Sequence, residues 1–208
     1  MSLLGNQNQG EACQFNHSLD DNELVKLSLQ NADNFGQIVE RYEKKLLRYI
    51  IYFTGVNRQL AEDILQDTMI NVYKNLNSFN PKLKFSSWIY RIAHNQALNA
   101  IRAEKNKGAV SLEAEDDESV SLIKILATDE NLVAKVEQKV MSEKVAEIMK
   151  LMRQDYRELL VLRFLDDYEY SEICDILRKP MGTVGVMIAR AKDEFKNLAI
   201  KYNLLGHE

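Results

Sequence analysis

Apolar residues recur at three- and four-residue spacing along most of this 208-residue chain, and strand-like alternation is absent, so the pattern predicts helices. Ser18 or Asp20, with Glu23 downstream, opens a short helix carrying Leu24, Leu27 and Leu29. Asn31-Ala32-Asp33-Asn34 makes a turn. Phe35, Ile38, Val39, Tyr42, Leu46, Leu47, Ile50 and Ile51 then form one stripe, and Gly55 ends it. Asn57 can cap the next helix, in which Ile64, Leu65, Thr68, Met69, Val72 and Leu76 recur as far as Asn77. Asn77-Ser78-Phe79-Asn80-Pro81 breaks the period, because proline cannot continue a helix and disfavours helix just before it. Ser86 or Ser87 caps a further helix with Trp88, Ile89, Ile92, Ala93, Leu98 and Ile101 as its apolar positions.

The second half repeats this grammar. Val133, Val136, Val140, Val145, Ile148, Met149 and Met152 fit a long amphipathic helix, and Asp155 to Phe164 a second. Asp166-Asp167-Tyr168-Glu169 turns the chain. Tyr170–Leu177 is a short helix, Arg178-Lys179-Pro180-Met181-Gly182 a tight turn, and the last helix runs from about Thr183 to Lys201. A short helix, a turn with glycine and a longer helix make a helix-turn-helix pattern.

The expected fold is therefore all-α, with two helical domains joined by a flexible acidic linker. Residues 1–17, rich in Asn, Gln and Gly, read as a disordered tail. Residues 18–106 form the first domain, 107–129 the linker and 130–202 the helix-turn-helix domain. Two prolines, eight glycines and a hydrophobic fraction of 46% suit packed helices. Within the linker Glu113, Glu115, Asp116, Asp117 and Glu118 make an acidic run, while Ser121–Leu126 fits a short helix or a strand.

Charge changes the picture once it is resolved along the chain. The net charge of −4 argues against a nucleic-acid binder. Yet residues 35–108 hold twelve Lys/Arg against six Asp/Glu, and residues 109–150 five against ten. A basic module is followed by an acidic one. The basic module gathers Lys82, Lys84, Phe85, Trp88, Arg91, Asn95 and Arg102 on a loop and the helix after it. Cations with interleaved aromatics suit single-stranded or unwinding nucleic acid, the cations on phosphates and the rings on bases. The alternative is that Phe79, Phe85 and Trp88 are core and the lysines a solvated loop.

Other chemistry is excluded by what the sequence lacks. Cys13 and Cys174 read as free thiols, and His17, His94 and His207 are too scattered for a metal site. There are no paired catalytic carboxylates, phosphate-cradling glycine loop or nucleophile motif, so neither an enzyme nor a cofactor is expected. His94 reads as a surface neighbour. With no signal peptide, and with Leu46–Thr54 interrupted by Arg48, the expectation is a cytoplasmic protein without membrane insertion.

The residues carry a resemblance. Ala61-Glu62-Asp63, Gln66-Asp67-Thr68, Phe79, Pro81, Phe85, Ser87-Trp88-Ile89, Arg91-Ile92-Ala93 and Asn95 resemble region 2 of bacterial RNA polymerase sigma factors of the extracytoplasmic-function (ECF) group, with Met69 in place of the usual Phe. Arg157 to Phe164 and Tyr170 to Val184 resemble region 4 of the same group. The resemblance implies a transcription initiation factor. Asp63, Gln66, Asp67 and Ile70, close in helical projection, would dock on the clamp of the largest subunit of core RNA polymerase. Asn80, Lys82, Lys84, Phe85 and Ser86 would form a pocket for a base flipped from the minus-ten element. Trp88, Arg91, Asn95 and Arg102 would lie along the helix that helps melt promoter DNA. Arg178, Lys179, Thr183, Val186, Arg190 and Lys192 would read the minus-thirty-five element. An anti-sigma factor is a further implied partner. The linker would thread through polymerase near its active centre, or serve only as a spacer.

One stretch departs from the family pattern. After Gly182-Thr183-Val184, where the group usually has Lys, Ser and Arg, this chain has Gly185, Val186 and Met187. Apolar residues cannot donate bonds to phosphates or base edges, so contact with thymine methyls would have to carry more of the recognition. A stand-alone helix-turn-helix regulator is the alternative function. It accounts for residues 150–200 but not for the Asp63/Gln66/Asp67 face.

Overall fold

The structure, a computed structural model, describes residues 19–106 and 144–202, all of whose regular elements are helical. The expected tail, the acidic linker and residues 130–143, with Val133, Val136 and Val140, lie outside the described residues. Helix α1 spans Asp21–Gln30, α2 Phe35–Thr54, α3 Arg58–Asn75 and α4 Phe85–Asn106. In the second half, α5 occupies 144–151, α6 Gln154–Leu160, α7 Tyr170–Leu177 and α8 Met181–Lys201.

Local chemistry sets most of the boundaries. Asp20 accepts from the Glu23 amide while Glu23 reaches back to the Asp20 amide, a reciprocal cap that starts α1. Of the three leucines expected inside, Leu29 is exposed and Val25 is buried in its place, because the buried arc turns toward α2. Gly55 closes α2 in the left-handed region at φ 72°, where a side chain is strained. The Asn57 side chain accepts from the Leu60 amide and starts α3.

Two boundaries differ from expectation. Helix α4 begins at Phe85, ahead of both serines, with Lys84 supplying the first carbonyl to Trp88. Ser86 and Ser87 thus fall in its first turn rather than at its cap. Helix α8 begins at Met181, because Pro180, with φ fixed near −60° and no N–H to satisfy, occupies the flanking position. The turn shrinks to Arg178-Lys179-Pro180, with Arg178 left-handed at φ 52°.

Helices α2, α3 and α4 pack around Ile38, Leu46, Ile50, Ile64, Val72, Ile89 and Ala93. Phe79, Phe85 and Trp88 join Tyr42 in an aromatic cluster with centroid spacings of 5.2–5.7 Å. In the second half, α6 and α8 pack through Leu159, Leu162, Val184, Ile188 and Ala191. The two halves also pack on each other, α6 against α2 and α7 against α4, so the buried residues form one continuous core.

Helix α6 runs into a wide π turn over Val161–Leu165, in which the Asp166 amide donates to the Val161 carbonyl five residues back. That turn aims Asp166 at α2.

Candidate functional site

Asp63, Gln66, Asp67 and Ile70 lie at i, i+3, i+4 and i+7 on α3, and all four are exposed. Ile70 is 49% exposed, an apolar spot flanked by two carboxylates and an amide. Beside it runs a groove of about 660 Å³ between α2 and α3, with Val39, Leu47, Leu65 and Met69 on its floor and Glu43, Lys44, Arg58 and Glu62 on its rim. Acid and apolar surface side by side suit a partner helix that carries cations beside aliphatic side chains.

The loop before α4 is built by Asn80. Its side chain accepts from the Lys82 amide and its carbonyl from the Leu83 amide, so this residue shapes the loop. Lys82 is exposed. Lys84 is exposed too, and its ammonium lies 3.1 Å from the Glu172 carboxylate of α7, a hydrogen bond that raises its pKa. Phe85 and Trp88 are 2% and 8% exposed. Both rings pack in the aromatic cluster with Tyr42 and Phe79. Ser86 is half-buried beside the Tyr168 hydroxyl.

Arg91, Asn95 and Arg102 continue from Lys84 at seven-, four- and seven-residue steps, which puts the four on one stripe of α4. Asn95 and Arg102 are exposed. Arg91 is half-buried, and burial, then the neighbouring Arg178 guanidinium, lowers its pKa against the pull of Asp175. The second half of the chain therefore stands over the beginning of this stripe.

On α8, Thr183, Val186 and Arg190 are exposed on one outward face, opposite the buried Val184, Ile188 and Ala191. A Cβ placed on Gly182 or Gly185 would meet nothing within 4 Å, so this end of the helix is smooth and open. Arg178 is exposed and Lys179 half-buried at the turn before it. Lys192 is exposed but stands apart. Half a turn out of phase with Thr183, it reaches over the Phe164 ring at 5.6 Å.

Sequence reasoning missed a second set of polar residues, between the halves. Tyr49 and His94 both bond the Glu158 carboxylate, His94 through Nδ1 at 2.6 Å, so His94 is no surface neighbour. Arg48 pairs with Asp166, whose carboxyl burial holds above its usual pKa against the pull of Arg48. Arg157, 8% exposed, donates twice to the Phe53 carbonyl and once to that of Met149. Tyr90 and Tyr168 meet edge to face at 4.8 Å, and burial raises the pKa of both. The available signal was charge inside apolar runs: Arg48, Arg157 and Glu158 each interrupt a helical stripe. Among the described residues no helix is long and apolar enough to cross a membrane, and no group of His, Cys, Asp or Glu could hold a metal.

Comparison with known proteins finds two family regions in the chain. The family described as Sigma-70 region 2 matches residues 38–107, and Sigma-70, region 4 matches residues 142–194. The ECF RNA polymerase sigma factor SigW of Bacillus subtilis is 31% identical over 168 residues, 79% of this chain and 88% of that protein. The ECF RNA polymerase sigma-E factor of Escherichia coli K12 is 31% identical over 185 residues, covering 86% and 94%. In fold, the chain is similar to CnrH in complex with the cytosolic domain of CnrY, with TM-score 0.61 and 20% identity over 86% of this chain and 96% of that one. It is similar also to RpoE in complex with the anti-sigma factor NepR from Bartonella quintana, with TM-score 0.60 and 18% identity over 79% and 96%. By its two matched regions and by relatives that it spans almost end to end, the chain belongs to the ECF RNA polymerase sigma factors.

Proposed function

We propose that the protein is a transcription initiation factor that binds core RNA polymerase, recognises minus-ten and minus-thirty-five promoter elements and assists promoter melting. It works by binding rather than by catalysis. The observation that carries this reading is the exposed row of Asp63, Gln66, Asp67 and Ile70 on α3, in a chain of this family. That row docks on the clamp of the largest polymerase subunit, where a basic partner meets the carboxylates and apolar side chains cover Ile70.

Lys82, Lys84, Arg91, Asn95 and Arg102 meet the minus-ten DNA, with Asn80 and Ser86 shaping the loop that receives an extruded base. Extrusion costs a few kcal/mol, which hydrogen bonds and phosphate contacts in the loop offset. Phe85 and Trp88 support that loop from beneath. Arg178, Lys179, Thr183, Val186 and Arg190 meet the minus-thirty-five element, with Lys192 on its flank. An anti-sigma factor is a further partner, in keeping with the complex in which the similar RpoE of Bartonella quintana was solved. Family membership and the α3 row both disfavour a stand-alone regulator.

The test is co-purification with bacterial core polymerase. Wild type should be retained and the Asp63→Arg/Asp67→Arg double variant lost, since two like charges would then face the basic partner. Retention of the double variant would remove α3 as the docking face. Tight duplex-DNA binding by a wild type that ignores polymerase would reinstate the regulator.

A further inference from the structure

Two side chains that the initiation reading places on neither polymerase nor DNA bear on the minus-ten loop. Asp21, in the first turn of α1, takes Arg41 Nη1 at 2.8 Å on one carboxylate oxygen and the Tyr42 hydroxyl at 2.5 Å on the other. Arg41 also donates to the Leu19 carbonyl at 2.8 Å. One carboxylate thus ties the start of α1 to two successive residues of α2. A hydrogen bond to an ionised acceptor is about twice as strong as a neutral one. Tyr42 is 4% exposed, and burial, then the Asp21 charge, raises its pKa, so its hydroxyl stays a donor.

The Tyr42 ring meets Phe85 edge to face at 5.7 Å. Phe85 is the first residue of α4 and meets Phe79, nearly perpendicular, at 5.2 Å. Trp88 lies 5.4 Å from Phe79 and 5.5 Å from Phe85. Phe79 and Phe85 are the two stems of the loop, with residues 80–84 between them. Tyr42 brings α2 into this cluster, and its hydroxyl links the cluster to α1. Helix α1 also packs on α4 and on the Leu76–Ser78 turn ahead of Phe79.

The stems are therefore held by a chain of contacts from Asp21 to Tyr42 to Phe85. Edge-to-face rings have a preferred geometry, so a tilt of Tyr42 is passed on to Phe85. A loop that must receive an extruded base binds it better when its stems are held beforehand, because ordering on binding costs affinity.

We propose that Asp21 and Tyr42 are positioning residues for the minus-ten loop. Acting through Phe85, they hold it in the shape that accepts the extruded base. This rests on the initiation-factor reading, which supplies the base. Neither residue belongs to the α3 row or to the residues assigned to DNA, so their effect falls on base discrimination and not on polymerase docking.

The test uses the full chain bound to bacterial core polymerase, with fork-junction oligonucleotides. Each non-template base of the minus-ten element is replaced in turn by an abasic site, and the position of greatest loss marks the extruded base. Discrimination is the Kd on that abasic fork divided by the Kd on the intact fork. Tyr42→Phe removes only the hydroxyl, and Asp21→Ala removes its acceptor. Each should lower discrimination about fivefold, the scale of one hydrogen bond. The loss should come from the intact fork alone, because an abasic fork puts nothing in the pocket, and retention by polymerase should match wild type. The double variant should do no worse than the more affected single variant, since both changes cut one link. Equal weakening on both forks marks a general loss of fold and overturns the proposal, as does full additivity in the double variant. A wild type that discriminates while both variants match it overturns the positioning role alone. A wild type with no sensitive position overturns the initiation-factor reading, and the positioning role with it.

Discussion

Arg157 shows how much one side chain can organise. Its guanidinium is buried and meets main-chain carbonyls near the C-terminal ends of two helices, Phe53 of α2 and Met149 of α5. Those carbonyls carry the negative end of each helix dipole, so a cation there is favoured even as burial lowers its pKa. Gly55 completes the arrangement. A Cβ at this left-handed position would stand 3.3 Å from Arg157 Nη1, so the same glycine serves the turn and clears room for the guanidinium. Arg157→Ala should therefore lower unfolding stability by about 2 kcal/mol, the scale of hydrogen bonds to a charged group, and urea titration would measure it. Arg157→Lys should recover only part, because an ammonium cannot span two carbonyls with a planar fork.

At the scale of the element, the sequence was most legible where one face does one job. The α3 stripe buries Ile64, Thr68, Met69, Val72 and Leu76, and leaves Asp63, Gln66, Asp67 and Ile70 outside. Both faces could be read from a 3.6-residue period. Helix α4 was harder, because it buries two faces. Its apolar stripe was readable, but Tyr90 and His94 face the second half of the chain, and no local period announces a contact with residues 64 or more positions away. The aromatics of the loop were ambiguous for a related reason: Phe85 and Trp88 suit a base or a core equally well, and only the positions of Phe79 and Tyr42 decide. Helix α8 makes its own prediction. With Val186 exposed beside the open Gly182 and Gly185, the helix can approach the major groove closely and meet a thymine methyl. Val186→Ser should reduce transcription from the preferred promoter by about 1 kcal/mol, roughly fivefold, the low end of a single base-pair change. The same variant should be neutral on a promoter whose contacted thymine is replaced by cytosine, and a transcription assay on the two templates reads the difference.

For the whole molecule, the most consequential feature is the shared core. The matched regions fall at 38–107 and 142–194, yet their buried side chains form one cluster. A chain divided by sequence into two modules is thus joined by packing into one cooperative unit. Calorimetry of the free protein should show a single melting transition, with its van't Hoff enthalpy equal to the measured heat. Arg48→Asp, which sets a carboxylate against Asp166 between the halves, should split that transition, and the smaller second half should melt first because it has less buried surface of its own. The melting curve would then report how far each module depends on the other for its fold. Where two modules share one core, the stability of each is set in part by the presence of the other.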